Sequence, residues 1–244
     1  MNRPHVRIRP LLSARLTMNL LTLDTSTEYL SLCLLYKGEV LARDWHAQQR
    51  HAELTLPMMQ ALLADAGASF SQLDGLALSI GPGSFTGLRI GCGIVQGLAF
   101  GLDIPTVGVN TLAALAADTD SAQTLAVLDA RMGELYLAGF TRQGDDWVES
   151  VATTVCGPQA LPALPDGSWQ GVGSGFAVQG EALARQYGAQ LAGVESTRFP
   201  HARGVLKLAQ REFAAGRATR AEQLELLYIR DKVALKTSER EKKV

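Results

Sequence analysis

The sequence predicts an α/β protein of two similar lobes, each a mixed sheet with flanking helices. Three observations carry that reading. Short apolar runs bounded by turn residues alternate with stretches in which apolar residues recur at helical spacing. A meander of three strands followed by alternating helix and strand occurs twice along the chain. The two occurrences also register: with Asp24 set against Asp129, Leu30 falls on Leu135 and Leu32 on Leu137, and TLAVLD (124–129) echoes LLTLD (20–24). The boundary falls near Asp118–Ala122, giving an N-terminal lobe over 18–120 and a C-terminal lobe over 121–236.

The elements follow in order. Residues 19–24 alternate loosely as a strand ending at Asp24, and Thr25-Ser26-Thr27 make a polar turn. Leu30–Leu35 is a second strand, Lys37-Gly38 a hairpin turn and Glu39–Trp45 a third strand. Leu54, Met58 and Leu62 share one stripe of a helix, with Met59, Leu63 and Ala66 on the adjoining stripe. Pro57 sits early in that pattern, so the helix either starts near Thr55 or kinks. Leu73–Ile80 returns to strand, a glycine turn follows, and a second helix spans Leu88–Leu102. Thr106–Val109 is a short strand, and Asn110 or Thr111 caps a helix through Ala117. In the second lobe, Thr124–Asp129 opens the meander, Gln143-Gly144-Asp145 turns it and Trp147–Val155 closes it. Pro158–Leu164 carries a faint helical pattern, Trp169–Val172 reads as strand, and Ala177–Tyr187 and Gly204–Ala215 read as helices.

A chain of 244 residues, 47% apolar with a net charge of −1, can bury a sizeable core. That balance excludes a disordered chain and a strongly basic nucleic-acid binder; only a small patch at Arg198, His201 and Arg203 offers itself to RNA. Cys33, Cys92 and Cys156 are far apart without CxxC spacing, and the first two sit in apolar patterns. They read as buried free thiols in a reducing cytoplasm. Residues 1–17 hold four arginines and no acid, and lack the apolar core of a secretory signal. They read as a disordered extension or a start assigned too early, with a nucleic-acid arm as the third reading. Residues 237–244 read as a frayed charged tail. No window is long and apolar enough to span a membrane: the best, Leu88–Leu102, contains Arg89 and Gln96 and is too short.

The most specific stretch is GPGSFTGLRIG, residues 81–91, between a buried strand and a helix. Such a turn leaves backbone N–H groups at the helix start, where they can bind an anion or another backbone, or simply close a tight turn. No Lys-Ser or Lys-Thr pair follows the glycines, so it is not a P-loop. Gly93, Gly97 and Gly101 then recur every four residues on one helix face. Each costs roughly 1 kcal/mol against alanine. Close approach of a neighbouring backbone must offset that, either inside the monomer or from another subunit. Gly171-Val172-Gly173-Ser174-Gly175 also joins a strand to a helix, as a bare turn or as a loop against adenine or phosphate. No GxSxG is present, no cysteine has an obvious histidine context, and no base can be assigned to Ser84, so no catalytic residue is expected.

LDTST (23–27), GPGSFTGLRIG (81–91), DARMGELY (129–136) and YIRDKVA (228–234) together resemble the TsaB (YeaZ) family, which belongs to the actin/Hsp70/sugar-kinase superfamily. The resemblance covers Met18 to about Lys236 and implies a two-lobed fold of that superfamily's type. It makes Asp24, Thr25 and Ser26 look like the superfamily's first phosphate turn; the alternative is a hairpin turn bonded to its own side chains. Gly81, Gly83, Ser84, Gly173 and Ser174 would be further vestiges of nucleotide turns. Asp129 adjoins Arg131 and reads as a local ion pair. The catalytic relative, TsaD, carries two metal-binding histidines four residues apart; here the corresponding positions hold His51 and Thr55, so no metal is expected. The resemblance implies a non-catalytic subunit. It would support TsaD in transferring threonylcarbamoyl to N6 of adenosine 37 of tRNAs reading ANN codons, and help recruit the TsaE ATPase. Its interface would be His51, Leu54, Met58, Met59, Leu62, Arg89, Gly93, Gly97 and Gly101, paired with TsaD or with a second copy as a homodimer. No cofactor would be intrinsic; ATP or ADP would lie at the subunit junction, tRNA would be met through the complex, and no membrane is expected. The alternatives are a stand-alone small-molecule kinase or ATPase of the same fold, or a homodimeric binding module.

Overall fold

The computed structural model describes residues 18–230; the expected extension at 1–17 and tail at 237–244 lie outside the described residues. The first lobe opens with a meander, β1 (Leu20–Asp24), β2 (Tyr29–Tyr36) and β3 (Glu39–His46). Helix α1 (His51–Asp65), β4 (Gly75–Gly81), α2 (Phe85–Leu102), β5 (Thr106–Asn110) and α3 (Thr111–Ala117) follow. The second lobe repeats the meander as β6 (Gln123–Asp129), β7 (Leu135–Gln143) and β8 (Asp146–Cys156). It continues with β9 (Trp169–Val172), α4 (Gly175–Val178), α5 (Gly180–Tyr187), β10 (Leu191–Glu195) and α6 (Ala202–Ala214). The sheet orders are β3-β2-β1-β4-β5 and β8-β7-β6-β9-β10, the same topology used twice. In each, an antiparallel meander is joined to parallel strands on the side of its first strand. The result is an α/β arrangement of two five-stranded mixed sheets, each flanked by helices.

The strands pack on both faces, which is why β1 and β4 read as nearly unbroken apolar runs. On one face of the first sheet, Leu21, Leu23, Leu32 and Leu76 meet Met59, Leu62 and Leu63 of α1 and Val95 and Ala99 of α2. On the other, Leu20, Cys33, Ala77, Val107 and Val109 meet Val205, Leu206, Ala209 and Phe213 of α6. Helix α3 sits between the sheets: Ala114 joins the α6 cluster, while Leu112, Leu115 and Ala116 pack on Ala126, Leu128, Ala138 and Phe140. Thus α6, although late in the sequence, completes the first lobe. So does the segment after it, where Thr219 bridges to Thr106 and Ala221 and Leu224 enter the first core. Among the described residues after 121, α6 and the segment around Thr219–Leu224 thus pack with the first sheet.

Several elements differ from expectation. Pro158–Leu164 is not helical; its carbonyls serve as fixed acceptors, Pro162 O for the Tyr187 hydroxyl at 2.6 Å and nearby Pro165 O for the Trp169 indole at 3.0 Å. Prolines cannot donate back to a helix, and they favour this extended strap. Ala177–Tyr187 is two helices, broken at Gln179-Gly180. Helix α1 starts at His51 and runs through Pro57, which is exposed, so the carbonyl it leaves without a donor can take water. Strand β10 was unrecognised because its register shifts at Gly193, which breaks the alternation. Helix α2 starts at Phe85 and has 18 residues, long and apolar enough by length and composition to cross a membrane. Leu88, Val95 and Ala99 bury its inner face in the protein, as in a core helix.

Candidate functional site

The glycine turn closes on the chain's own backbone. A Cβ on Gly83 would stand 2.6 Å from Ser26 O, and Cβ atoms on Gly87 and Gly91 would run into Thr25 O and Thr25 Oγ1. Thr25 Oγ1 donates to Gly87 O at 2.8 Å, and Ser84 N donates to Ser26 O at 2.7 Å. Ser84 caps α2 by accepting from Gly87 N at 3.3 Å. Gly81 N donates to Thr111 Oγ1 at 3.2 Å. The two segments singled out as phosphate turns are thus packed against each other, and the Ser84 amide meets the Ser26 carbonyl. Asp24 is 1% exposed. Its Oδ1 accepts from Ser26 N at 2.9 Å and Ser26 Oγ at 2.7 Å. The turn is bonded to its own side chains. Burial raises the Asp24 pKa, and the nearby Ser79 hydroxyl and the hydrogen bonds from Ser26 pull it part of the way back.

The corresponding turn of the second lobe is built the same way. Gly173, at φ +109°, lies against Val127 O, and Ser174 Oγ accepts from Asp129 N at 3.1 Å. Asp129 accepts from Arg131 N at 2.8 Å and pairs with its guanidinium at 3.1 Å, as the spacing predicted.

The outer face of α2 is open. Cβ atoms on Gly93, Gly97 and Gly101 would meet nothing within 4 Å. The glycine stripe is therefore not packed inside the monomer. Around it Phe85 is 51% exposed and Phe100 76% exposed. A shallow groove of about 440 Å³ runs between Arg89–Gln96 and the strap Leu224–Tyr228.

A family model described as TsaD: tRNA N6-adenosine threonylcarbamoyltransferase matches residues 45–213. A Haemophilus influenzae protein named tRNA threonylcarbamoyladenosine biosynthesis protein TsaB is 36% identical over 233 residues, covering 90% of this chain and 96% of the relative. The Escherichia coli protein of the same name is 36% identical over 227 residues, covering 90% and 97%. The chain belongs to the TsaB family. The solved structure of YeaZ from Pseudomonas aeruginosa agrees, with a TM-score of 0.78 at 34% identity over 86% of this chain and 99% of that one.

Within this TsaB-family chain, the expected interface residues do not share one surface. Met59 and Leu62 are wholly buried in the first core and His51 is 4% exposed, so these three are not on an outer face. Met59 and Leu62 face the first core, where α1 packs on β2, β3 and α2. Leu54 and Met58 are half-buried beside them, while Arg89 and the three glycines are exposed. The His51 ring nitrogen Nε2 lies 3.1 Å from Tyr29 O, and Thr55 Oγ1 donates to His51 O at 2.7 Å. Among the described residues no three His, Cys, Asp or Glu side chains converge as a metal-ligand set. The small basic patch is neutralised: Arg198 pairs with Glu195 and Asp118, Arg203 with Asp44 and Asp118, and His201 with Asp44. Sequence reasoning missed Phe85, Phe100 and Tyr228. Tyr228 stood in a quoted motif, but nothing in its spacing puts it beside Phe85.

Proposed function

We propose that this chain is the non-catalytic partner subunit of the complex that installs threonylcarbamoyl on N6 of adenosine 37 of tRNAs reading ANN codons. It binds and supports the catalytic TsaD subunit through the outer face of α2 and helps recruit the TsaE ATPase. In the absence of TsaD the same face pairs with a second copy. ATP or ADP lies at the subunit junction, tRNA is met through the complex, and the setting is cytoplasmic. The pathway is the one in the relatives' name, tRNA threonylcarbamoyladenosine biosynthesis.

The open glycine stripe carries the subunit reading. Three interior glycines cost about 3 kcal/mol of helix stability in total, much of a typical domain margin of about 5–15 kcal/mol. Among the described residues no neighbour approaches them. A partner backbone lying close along Gly93, Gly97 and Gly101 recovers that cost as buried contact. The closed turns support a non-catalytic role: Thr25 bonds to the Gly87 carbonyl, and Asp24 is buried and bonded to Ser26.

The test is reconstitution. TsaD, TsaE, the adenylate-forming enzyme, ATP, threonine, bicarbonate and tRNA are combined with and without this chain, and the modified nucleoside is counted. Product that requires this chain, with none from this chain and the adenylate-forming enzyme alone, is expected. Product independent of it, with active partners, would sink the partner role. ATP turnover by the purified chain alone, lost in Asp24→Ala, would move the assignment to the kinase reading.

A further inference from the structure

We propose that Arg89, stacked on the Phe85 ring with Tyr228 beside it, is the polar anchor of the α2 face and takes a carboxylate from the docking subunit. The occupant is a protein partner presenting an aspartate or glutamate at that point; the inference rests on the partner-subunit reading and adds the chemistry of its recognition.

The guanidinium carbon lies 3.2 Å from the Phe85 ring centroid and 5.2 Å from that of Tyr228. The two rings are 6.4 Å apart, and Tyr228 is 55% exposed. Stacking on Phe85 occupies a flat face of the guanidinium and leaves its in-plane N–H donors free for a forked carboxylate contact. Among the described residues Arg89 forms no hydrogen bond or ion pair, although Glu225 borders the same groove. Tyr228 is not a fraying end. Leu224 O accepts from Gln96 Nε2 at 3.0 Å, Leu227 N donates to Ile80 O at 2.9 Å, and Arg230 Nη2 donates to Ala130 O at 3.0 Å. The strap is pinned on both sides of the ring, so Arg89 is oriented before a partner arrives. Such preorganisation lowers the ordering cost of binding.

Charge complementarity ranks a second copy below a partner helix that carries its own carboxylate. Helix α2 contains no acidic residue, so packing α2 on α2 brings Arg89 Thr86, Gln96, a second Arg89, glycine and apolar groups, with Asp103 at the helix end as the one carboxylate. On α1 the exposed Glu53 is already paired with Arg50. A partner helix bearing a carboxylate completes the fork.

The experiment measures affinity of the full chain for a TsaD subunit by calorimetry, from about 0.05 M to about 0.5 M salt. Wild type should weaken as salt rises. Arg89→Gln should bind roughly tenfold or more weakly at low salt and lose most of the salt dependence. Arg89→Lys should keep the salt dependence but bind more weakly than wild type, because an ammonium cannot fork. Far-ultraviolet circular dichroism checks that both variants fold. If Arg89→Gln binds like wild type with the same salt dependence, the anchor is wrong while the partner reading stands. If Arg89→Gln weakens only self-association, a second copy is the occupant and the proposal falls. If wild type itself does not bind an active TsaD, the partner reading fails.

Discussion

Asp24 looks, in the sequence, like a carboxylate ready for metal chemistry, and in the fold it is a buried cap. Ser26 donates twice to its Oδ1, while Oδ2 and the Ser79 hydroxyl are buried without a partner within hydrogen-bond distance. Burial raises its pKa, so the folded state holds a proton that the unfolded chain releases above about pH 4. Its contribution to stability is therefore greatest below the unfolded value and declines as pH rises through the folded one. Asp24→Asn imitates the protonated acid: its oxygen keeps both Ser26 bonds and its amide can reach toward Ser79. Urea unfolding at pH 7 should find this variant at least as stable as wild type. A loss of more than about 2 kcal/mol would mean that the ionised carboxylate is needed. LDTST announced the turn, but its chemistry depends on Ser79, far along the chain.

At the scale of the element, α2 has one glycine-rich sequence and two kinds of glycine. Gly87 is required by contact with the Thr25 carbonyl, and Gly97 faces open space. Gly87→Ala forces backbone apart and should destabilise the fold by about 1–3 kcal/mol, read from the urea midpoint. Gly97→Ala should stabilise the isolated monomer by up to about 1 kcal/mol. Gly97→Leu should leave circular dichroism unchanged and abolish pairing, measured by analytical ultracentrifugation with TsaD. If Gly97→Leu unfolds the monomer instead, that face packs inside the chain and is no interface. Periodicity identified the helix and the stripe, yet both sets of glycines recur on it at four-residue spacing. Only the position of Thr25 separates them.

At the scale of the molecule, a network of charges ties the returning chain to both lobes. Asp44 on β3 accepts from Ser31 Oγ at 2.6 Å and meets His201 Nδ1 at 3.1 Å and Arg203 at 3.4 Å. Arg203 and Arg198 both reach Asp118 at the end of α3, and Arg198 also reaches Glu195 on β10. Ala202 N donates to Ser31 Oγ, so the first amide of α6 belongs to the same chain of bonds. Burial alone would raise the Asp44 pKa; His201, the Ser31 hydroxyl and Arg203 outweigh it and hold the carboxyl below 3.8. A depressed carboxyl stabilises the fold above its unfolded value, near pH 4, and that contribution is lost as pH falls through the folded one. Asp44→Asn should cost about 1–3 kcal/mol at pH 7, with the gap to wild type closing as pH falls below about 4. A gap that stays constant across that range would show that the charge of Asp44 does not hold α6 in place.

The sequence by itself determined the two lobes, because strand and helix periods and the echo of LLTLD in TLAVLD are local patterns fixed by backbone geometry. It also determined the hairpin turns, the Asn110 cap, which accepts from Leu112 N at 2.8 Å, and the family. Only the tertiary structure decided that α6 belongs to the first sheet and that the phosphate-like turns fill each other. It alone brought Tyr228 to Arg89 and turned Met59 and Leu62 inward. Each of these depends on contacts between segments distant in the chain, where packing and exclusion of water choose among faces that local pattern leaves equivalent.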